Sequence, residues 1–302
     1  MTSFENGCFL CPRQCGARRD IGRTGFCLMT DKVKVARAAL HMWEEPCISG
    51  IGENPPGSGT VFFSGCTLRC VYCQNYHIAA GSFGKEISVK RLGDIFLELQ
   101  DKGAANINLV TPTHFTPQII EALDMVKHKL VIPVVHNTSG YECVQTLKML
   151  DGYVDIYLTD FKYMDSFTAE KYSKAPDYPE IVKAALEEMV RQTGAPVFFS
   201  SGLMKKGVIV RHLMLPGQLL DSKKIVRYVY ETYGDRVYLS LMNQYTPLKH
   251  VADIPELNCR VKKKSYDKLI DFAIELGVTQ AFIQSGEAAK ESFIPSFECE
   301  GV

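Results

Sequence analysis

From Thr60 onward the chain alternates short β-branched apolar runs with amphipathic stretches, and no other feature limits its fold as strongly. Strands are expected at T-V-F-F-S-G (60–65), N-I-N-L-V-T (106–111), L-V-I-P-V-V-H-N (130–137), D-I-Y-L-T-D-F-K (155–162), G-V-I-V-R-H-L-M-L (207–215), V-Y-L-S-L-M (237–242) and Q-A-F-I-Q-S (280–285). Helical periodicity falls between them, as in V-K-R-L-G-D-I-F-L-E-L-Q (89–100), P-Q-I-I-E-A-L-D-M-V (117–126) and S-Y-D-K-L-I-D-F-A-I-E-L (265–276). Repeated β-then-α units imply a parallel sheet. The expectation is an α/β fold, a partial or complete (β/α) barrel of about six parallel strands. Residues 1–58 show little periodicity and many Gly, Pro and Cys, so they read as an irregular Cys-rich extension. The barrel would occupy 59–302, joined through E-N-P-P-G-S-G (53–59).

Barrel chemistry sits at the C-terminal ends of the strands. Those ends carry Cys66, T-P-T-H (111–114), H-N-T-S-G-Y (136–141), D-F-K (160–162), R-H-L-M-L-P-G (211–217) and M-N-Q-Y-T-P (242–247). Such polar tips on apolar strands suit a site at the barrel mouth, although turn chemistry favours some of the same residues.

The chain has eleven cysteines, and its start has neither a basic nor an apolar leader segment. A cytoplasmic, reducing setting is therefore expected, with thiols serving metals or catalysis and not disulfides. No run is apolar for long enough to span a membrane. Lys plus Arg and Asp plus Glu both number 34, so no bulk positive field argues for nucleic acid. Cys66, Cys70 and Cys73 are spaced C-x3-C-x2-C directly after a strand, with Gly65 letting the backbone turn. Three thiols leave one coordination position of a four-iron cluster open, as a catalytic site requires, whereas a structural zinc wants four ligands. Cys8, Cys11, Cys15 and Cys27 do offer four, enough for zinc or a second iron–sulfur cluster. Among them Arg13, Arg18, Arg19 and Arg23 read as a solvated basic loop, or as a screen for thiolate charge.

C-T-L-R-C-V-Y-C (66–73), with Tyr72 just before its third cysteine, resembles the signature of the radical S-adenosylmethionine (SAM) superfamily. The resemblance implies that Cys66, Cys70 and Cys73 hold a [4Fe–4S] cluster whose fourth iron binds the amino and carboxylate groups of SAM. It implies reductive cleavage of SAM to a 5′-deoxyadenosyl radical, with reduced flavodoxin or ferredoxin as electron donor. Over 59–250 the chain is also similar to pyruvate formate-lyase activating enzymes and related activating-enzyme-like proteins. N-T-S-G (137–140) stands where they carry D-T-N-G, D-F-K (160–162) where they carry D-L-K, and V-R-H-L-M-L-P-G (210–217) resembles R-Y-V-V-V-P-G. That likeness makes Asn137, Ser139, Asp160, Lys162 and Arg211 candidate SAM contacts, an acid suiting the ammonium and a cation the carboxylate. Where the family has Gly-Gly-Glu, this chain has T-P-T-H-F-T-P (111–117), which leaves Thr111, Thr113 or His114 as amino-group acceptors. In place of the family's last-strand His stand Asn243, Gln244 and Tyr245, with Gln244 the candidate contact. C-F-L-C-P-R-Q-C (8–15) resembles the N-terminal segment of the activating-enzyme-like subgroup.

The expected function is radical SAM chemistry that activates a glycyl radical enzyme. The alternatives are modification of a peptide, amino acid or RNA, and a non-catalytic iron–sulfur sensor or scaffold. Cys299 reads either as a hydrogen donor, if the tail folds over the barrel mouth, or as a free thiol.

Overall fold

The computed structural model describes residues 4–81, 83–284 and 297–302. Its strands are β1 (Val33–His41), β2 (Ser58–Phe63), β3 (Lys85–Ile87), β4 (Ile107–Val110), β5 (Val134–Thr138), β6 (Ile156–Asp160), β7 (Val197–Phe198), β8 (Met204–Leu213), β9 (Tyr238–Met242) and β10 (Ala281–Ile283). Seven of them, β2, β4, β5, β6, β8, β9 and β10, lie side by side in that order and all parallel. Among the described residues β10 has no partner beyond β9, so the barrel is open. Each of the seven falls on an expected run, and only Ser285 of the last run lies outside the described residues.

Helices cross between the strands: α3 (Val89–Asp101), α4 (Thr116–Val126), α5 (Val144–Met149), α6 (Ser166–Ser173), α7 (Tyr178–Thr193), α8 (Leu219–Tyr233) and α9 (Lys263–Leu276), after the short α1 (Pro46–Ser49) and α2 (Tyr76–Ala79). Local chemistry sets their ends. The Ser88 hydroxyl accepts the Arg91 N–H at the start of α3, the Asp165 carboxylate accepts the Thr168 N–H at the start of α6, and Gly277 closes α9 in a left-handed turn. Every residue of β2 and β4 is buried, as expected of strands with helices on one face and the barrel interior on the other.

Residues 33–41 depart from the irregular extension expected of the first 58 residues. They form β1, which pairs antiparallel with β2 and carries β3 on its other edge. Small and charged residues dilute the pattern in V-K-V-A-R-A-A-L-H, so periodicity does not reveal the strand. His41 pairs with Ser58, which puts the end of β1 at the N-terminal face of the barrel. From there residues 42–57 fold back as a plug. Cys47 and Ile48 of α1 pack against Val135, Ile156, Leu158, Met204 and Ile209, and the Asn106 amide donates to the Ile48 carbonyl at 2.7 Å.

The basic residues of the N-terminal segment are not all solvated. Arg19 is wholly buried, donating to the carbonyls of Met29, Thr30 and His114 and lying over the Phe4 and Phe115 rings. Five fixed donors let a guanidinium tie together a segment that has little core. Arg18 does pair at the surface, with Asp20. The C-terminal tail runs back along β1, the Cys299 N–H donating to the Ala36 carbonyl, and Cys299 is not among the residues lining the central cavity. Among the described residues no helix is long and apolar enough to cross a membrane.

Ile48→Ala should lower the unfolding free energy by about 2–5 kcal/mol, because the plug cannot collapse around the missing carbons. The exposed Val131→Ala should stay within about 0.5 kcal/mol. Urea unfolding of both variants checks this, and equal losses would mean the plug is not part of the folded core.

Candidate active site

Where β2 ends, the Ser64 N–H donates to the Lys34 carbonyl and its hydroxyl to the Phe83 carbonyl. Gly65 then turns with φ +82°, and a Cβ there would lie 2.6 Å from the Cys27 carbonyl oxygen, so only glycine fits. The Leu68 and Arg69 N–H groups both point at the Cys66 sulfur at 3.4 Å. Arg13, from the N-terminal segment, clasps the same loop by donating to the carbonyls of Thr67 (3.0 Å) and Leu68 (3.3 Å), and ties it to the end of α6 through the Ser173 carbonyl (2.8 Å) and Lys174 O.

Cys66, Cys70 and Cys73 line one side of a cavity of about 830 Å³. Burial pushes the Cys66 thiol up and Cys73 up to about 12, with charge on Cys66 and Cys70 adding to the latter. A cation bound among them would offset that burial and favour the thiolates. Three thiols with backbone N–H groups aimed at one sulfur fit an iron–sulfur cluster as a donor set. Among the described residues, no three or more His, Cys, Asp or Glu side chains gather around a single point as one ion would need.

The facing wall is built by register. Asp160 on β6 sits beside Arg211 on β8, and Arg211 beside Ser240 on β9. Arg211 donates to Asp160 Oδ1 at 2.9 Å, Asn137 Oδ1 at 2.7 Å and Glu44 Oε2 at 3.2 Å. Lys162 donates to Asp160 Oδ2 at 2.6 Å. Burial works to raise the Asp160 carboxyl, yet Arg211 and then Lys162 hold it below the usual carboxylate range. Burial likewise opposes the charge on Lys162, and Asp160 outweighs it. These are desolvated, charge-assisted bonds, in which loss of one partner typically costs about 3–5 kcal/mol.

The cavity brings together most of the residues singled out from sequence. Asn137, Asp160, Lys162 and Arg211 line it, and so do Tyr72, Thr111, Ser139 and Gln244. Thr111 holds a left-handed φ of +57°, strained for a β-branched residue and found at the tip of β4. The Tyr178 hydroxyl joins the tips of β5 and β6, lying 2.8 Å from the Ser139 carbonyl and accepting the Lys162 N–H at 2.9 Å. Tyr72 is buried, accepts a 2.7 Å bond from the Tyr163 hydroxyl, and meets the Tyr245 ring edge to face.

Thr113 and His114 do not reach the cavity. Thr113 turns to Glu142, donating at 2.6 Å, and His114 Nε2 meets the Ser64 carbonyl at 2.8 Å in the core. A 3₁₀ turn soon after β4 carries both side chains into the core and away from the cavity, a rotation that residue types alone do not show. The acids that do enter, Glu44 and Glu45, were not found from sequence. They come from the plug, and Asn108 also donates to Glu44, at 3.1 Å. The adjacent W-E-E-P in an otherwise apolar and Gly-Pro-rich stretch was the available signal.

Cys8, Cys11 and Cys27 are buried while Cys15 is exposed, and the Cys27 carbonyl lies against Gly65. Burial raises Cys11 and Cys27, Arg19 opposes the rise of Cys27, and charge on neighbouring cysteines adds to both. Arg19 Nη1 lies 3.6 Å from the Cys8 sulfur.

Comparison with known proteins bears on this site. A model of the Radical SAM superfamily matches residues 60–229, more than half of the chain. An uncharacterized protein of Methanocaldococcus jannaschii, MJ0674, is 30% identical over 281 residues, covering 89% of this chain and 75% of that one. Crystal structures of Streptococcus suis SuiB bound to S-adenosylmethionine and to precursor peptide SuiA superpose with TM-scores of 0.45 and 0.46. Identities are 17% and 15% over 73% of this chain, which spans under half of the SuiB chains (45% and 46%).

Burial lowers His114 to about 3, with Arg19 adding to the effect. A histidine kept neutral by the fold leaves the unfolded state binding more protons below about 6.5, so stability falls as pH drops from there toward 3. Over that window the wild type should lose up to about 1.4 kcal/mol per pH unit more than His114→Gln, which keeps a donor for Ser64. Urea midpoints at several pH values test this, and parallel slopes would refute it.

Proposed function

The chain belongs to the radical SAM superfamily, and from that premise we propose that Cys66, Cys70 and Cys73 hold its [4Fe–4S] cluster while the strand tips opposite hold SAM. The observation that carries this reading is the single cavity joining the three thiols to Asp160, Lys162 and Arg211. A bound cluster supplies one electron to SAM, giving methionine and a 5′-deoxyadenosyl radical that takes a hydrogen atom from substrate. Lys162 and Arg211 are the cations for the SAM carboxylate, and Asp160 is the acceptor for its ammonium. In the free protein these groups neutralise one another, so SAM exchanges ion pairs inside a desolvated pocket and meets no bare charges. Leu68, Phe62, Val110 and Met242 give the cavity apolar walls that keep water from a reactive radical.

The finer reading is an activating-enzyme-like protein that draws electrons from reduced flavodoxin or ferredoxin and places a radical on a glycyl radical enzyme, or modifies a peptide. Its support is N-T-S-G at the tip of β5, D-F-K at the tip of β6 and R-H-L-M-L-P-G at the tip of β8. Cys8, Cys11, Cys15 and Cys27 are proposed to hold a second cluster or zinc, and 1–58 and 59–302 to act as two functional parts. Arg13 couples those parts through the loop carbonyls.

Anaerobically reconstituted protein given dithionite and SAM should release 5′-deoxyadenosine, and Cys70→Ala should release none. A wild type with an intact cluster and no product would sink the reading. Asp160→Asn should weaken SAM binding at least about tenfold, about 1.4 kcal/mol, measured by equilibrium dialysis with folding checked by circular dichroism. Metal analysis of the Cys66/Cys70/Cys73→Ala variant separates the N-terminal options: residual iron means a second cluster, zinc alone a structural ion, and neither removes the metal proposal.

A further inference from the structure

One carboxylate of the cavity makes no hydrogen bond to the ion network among the described residues. Glu45, next to Glu44 on the plug, is 7% exposed and lines the cavity. Ser240 is its hydrogen-bond partner, but among the described residues Glu45 Oε2 has none. Burial raises the Glu45 carboxyl, Arg211 opposes that rise and the neighbouring Glu44 adds to it, while the Arg211 side-chain bonds run to Asp160, Glu44 and Asn137. Lys162 is held by Asp160. A buried acceptor without a donor costs about 1–3 kcal/mol, more when charged. Gln284 lines the same cavity, gives its amide N–H to Gln244 at 3.4 Å, and likewise leaves Oε1 without a partner among the described residues.

The surroundings point to what is missing. Lining the cavity are three carboxylates, Glu44, Glu45 and Asp160, against two cations, Lys162 and Arg211. Burial lowers His41 to about 4, so it adds no charge near neutrality. Phe62, Phe282 and Trp43 contribute aromatic surface, which attracts cations. Met42 and Trp43 are exposed, so the cavity meets solvent beside the plug. Ser240 on β9 lies two strands from Asp160 on β6, roughly 10 Å across the sheet. The thiols hang from β2, with β4 and β5 between it and β6, so the Glu45 corner borders the proposed SAM contact Arg211 on the side away from the thiols.

We propose that this corner binds the cationic group, ammonium or guanidinium, of the molecule on which the radical acts, with the Glu45 carboxylate as its counter-charge. The inference rests on the radical SAM reading of the same cavity. It deepens that reading by giving the substrate a positive charge and an entry beside Trp43.

The test uses reconstituted protein holding SAM and four isosteric probes: butylammonium, butylguanidinium, neutral butanol and anionic butyrate. Calorimetric titration should show saturable binding of at least one cation and none of butanol or butyrate at the same concentrations. Trp43, the one tryptophan of the chain, should report it by fluorescence. Glu45→Gln should weaken the cation at least about tenfold. Equal binding of cation and butanol, no saturable binding of any probe, or undiminished binding in Glu45→Gln overturns the proposal. If that variant fails to fold, the selectivity of the wild type decides. SAM cleavage is followed on the same preparation: cleavage without cation selection defeats this inference alone, and selection without cleavage defeats the enzymatic reading alone.

Discussion

The salt-bridged cluster of Asp160 with Arg211 and Lys162 is the interaction around which the interior is organised. Two cations and a carboxylate are withdrawn from water there, and each is tolerable only because the others are in place. Glu44 and Asn137 complete the coordination of the guanidinium, so strands β5, β6 and β8 and the plug are joined at one point. A helix-wrapped barrel with an apolar interior would be easier to stabilise. The polar centre requires the parallel register that sets Asp160 beside Arg211 and Arg211 beside Ser240, and it commits the cavity to charged ligands.

Two segments that precede the parallel strands finish the site from opposite ends. Residues 42–57 close the N-terminal face and deliver Glu44 and Glu45 into the interior, their position secured by Ile48 in the core. The Cys-rich segment sits at the other end, where Arg13 holds the carbonyls of the radical loop, and Arg69 of that loop returns a bond to the Phe26 carbonyl. The loop that carries Cys66, Cys70 and Cys73 is therefore positioned by residues that come some fifty positions earlier in the chain. Through those few bonds the geometry of the loop is coupled to the N-terminal segment.

Strands β2 to β9 of the parallel sheet were legible because largely buried strands read as apolar, β-branched runs, and β10 keeps that pattern although it is half-exposed at the edge. β1 was not, because Ala36, Ala38 and Ala39 and two basic residues hide a strand that one neighbour on each side stabilises. Asp160, Lys162 and Arg211 were found because strand tips of a barrel carry its chemistry. His114 was misplaced for the same reason: it follows a strand tip, but a 3₁₀ turn points it into the core, toward Ser64.

By itself the sequence determined the parallel α/β architecture and the grouping of thiols, because periodicity and spacing are local properties that one stretch of chain expresses alone. Tertiary structure decided which charges share a cavity. Glu44, Asn137, Asp160 and Arg211 meet through strand register and a returning plug, and distances of 2.7 to 3.2 Å between such remote residues leave no local trace. It also decided that Glu45 faces inward with an oxygen to spare, since only the assembled barrel shows which donors are already taken.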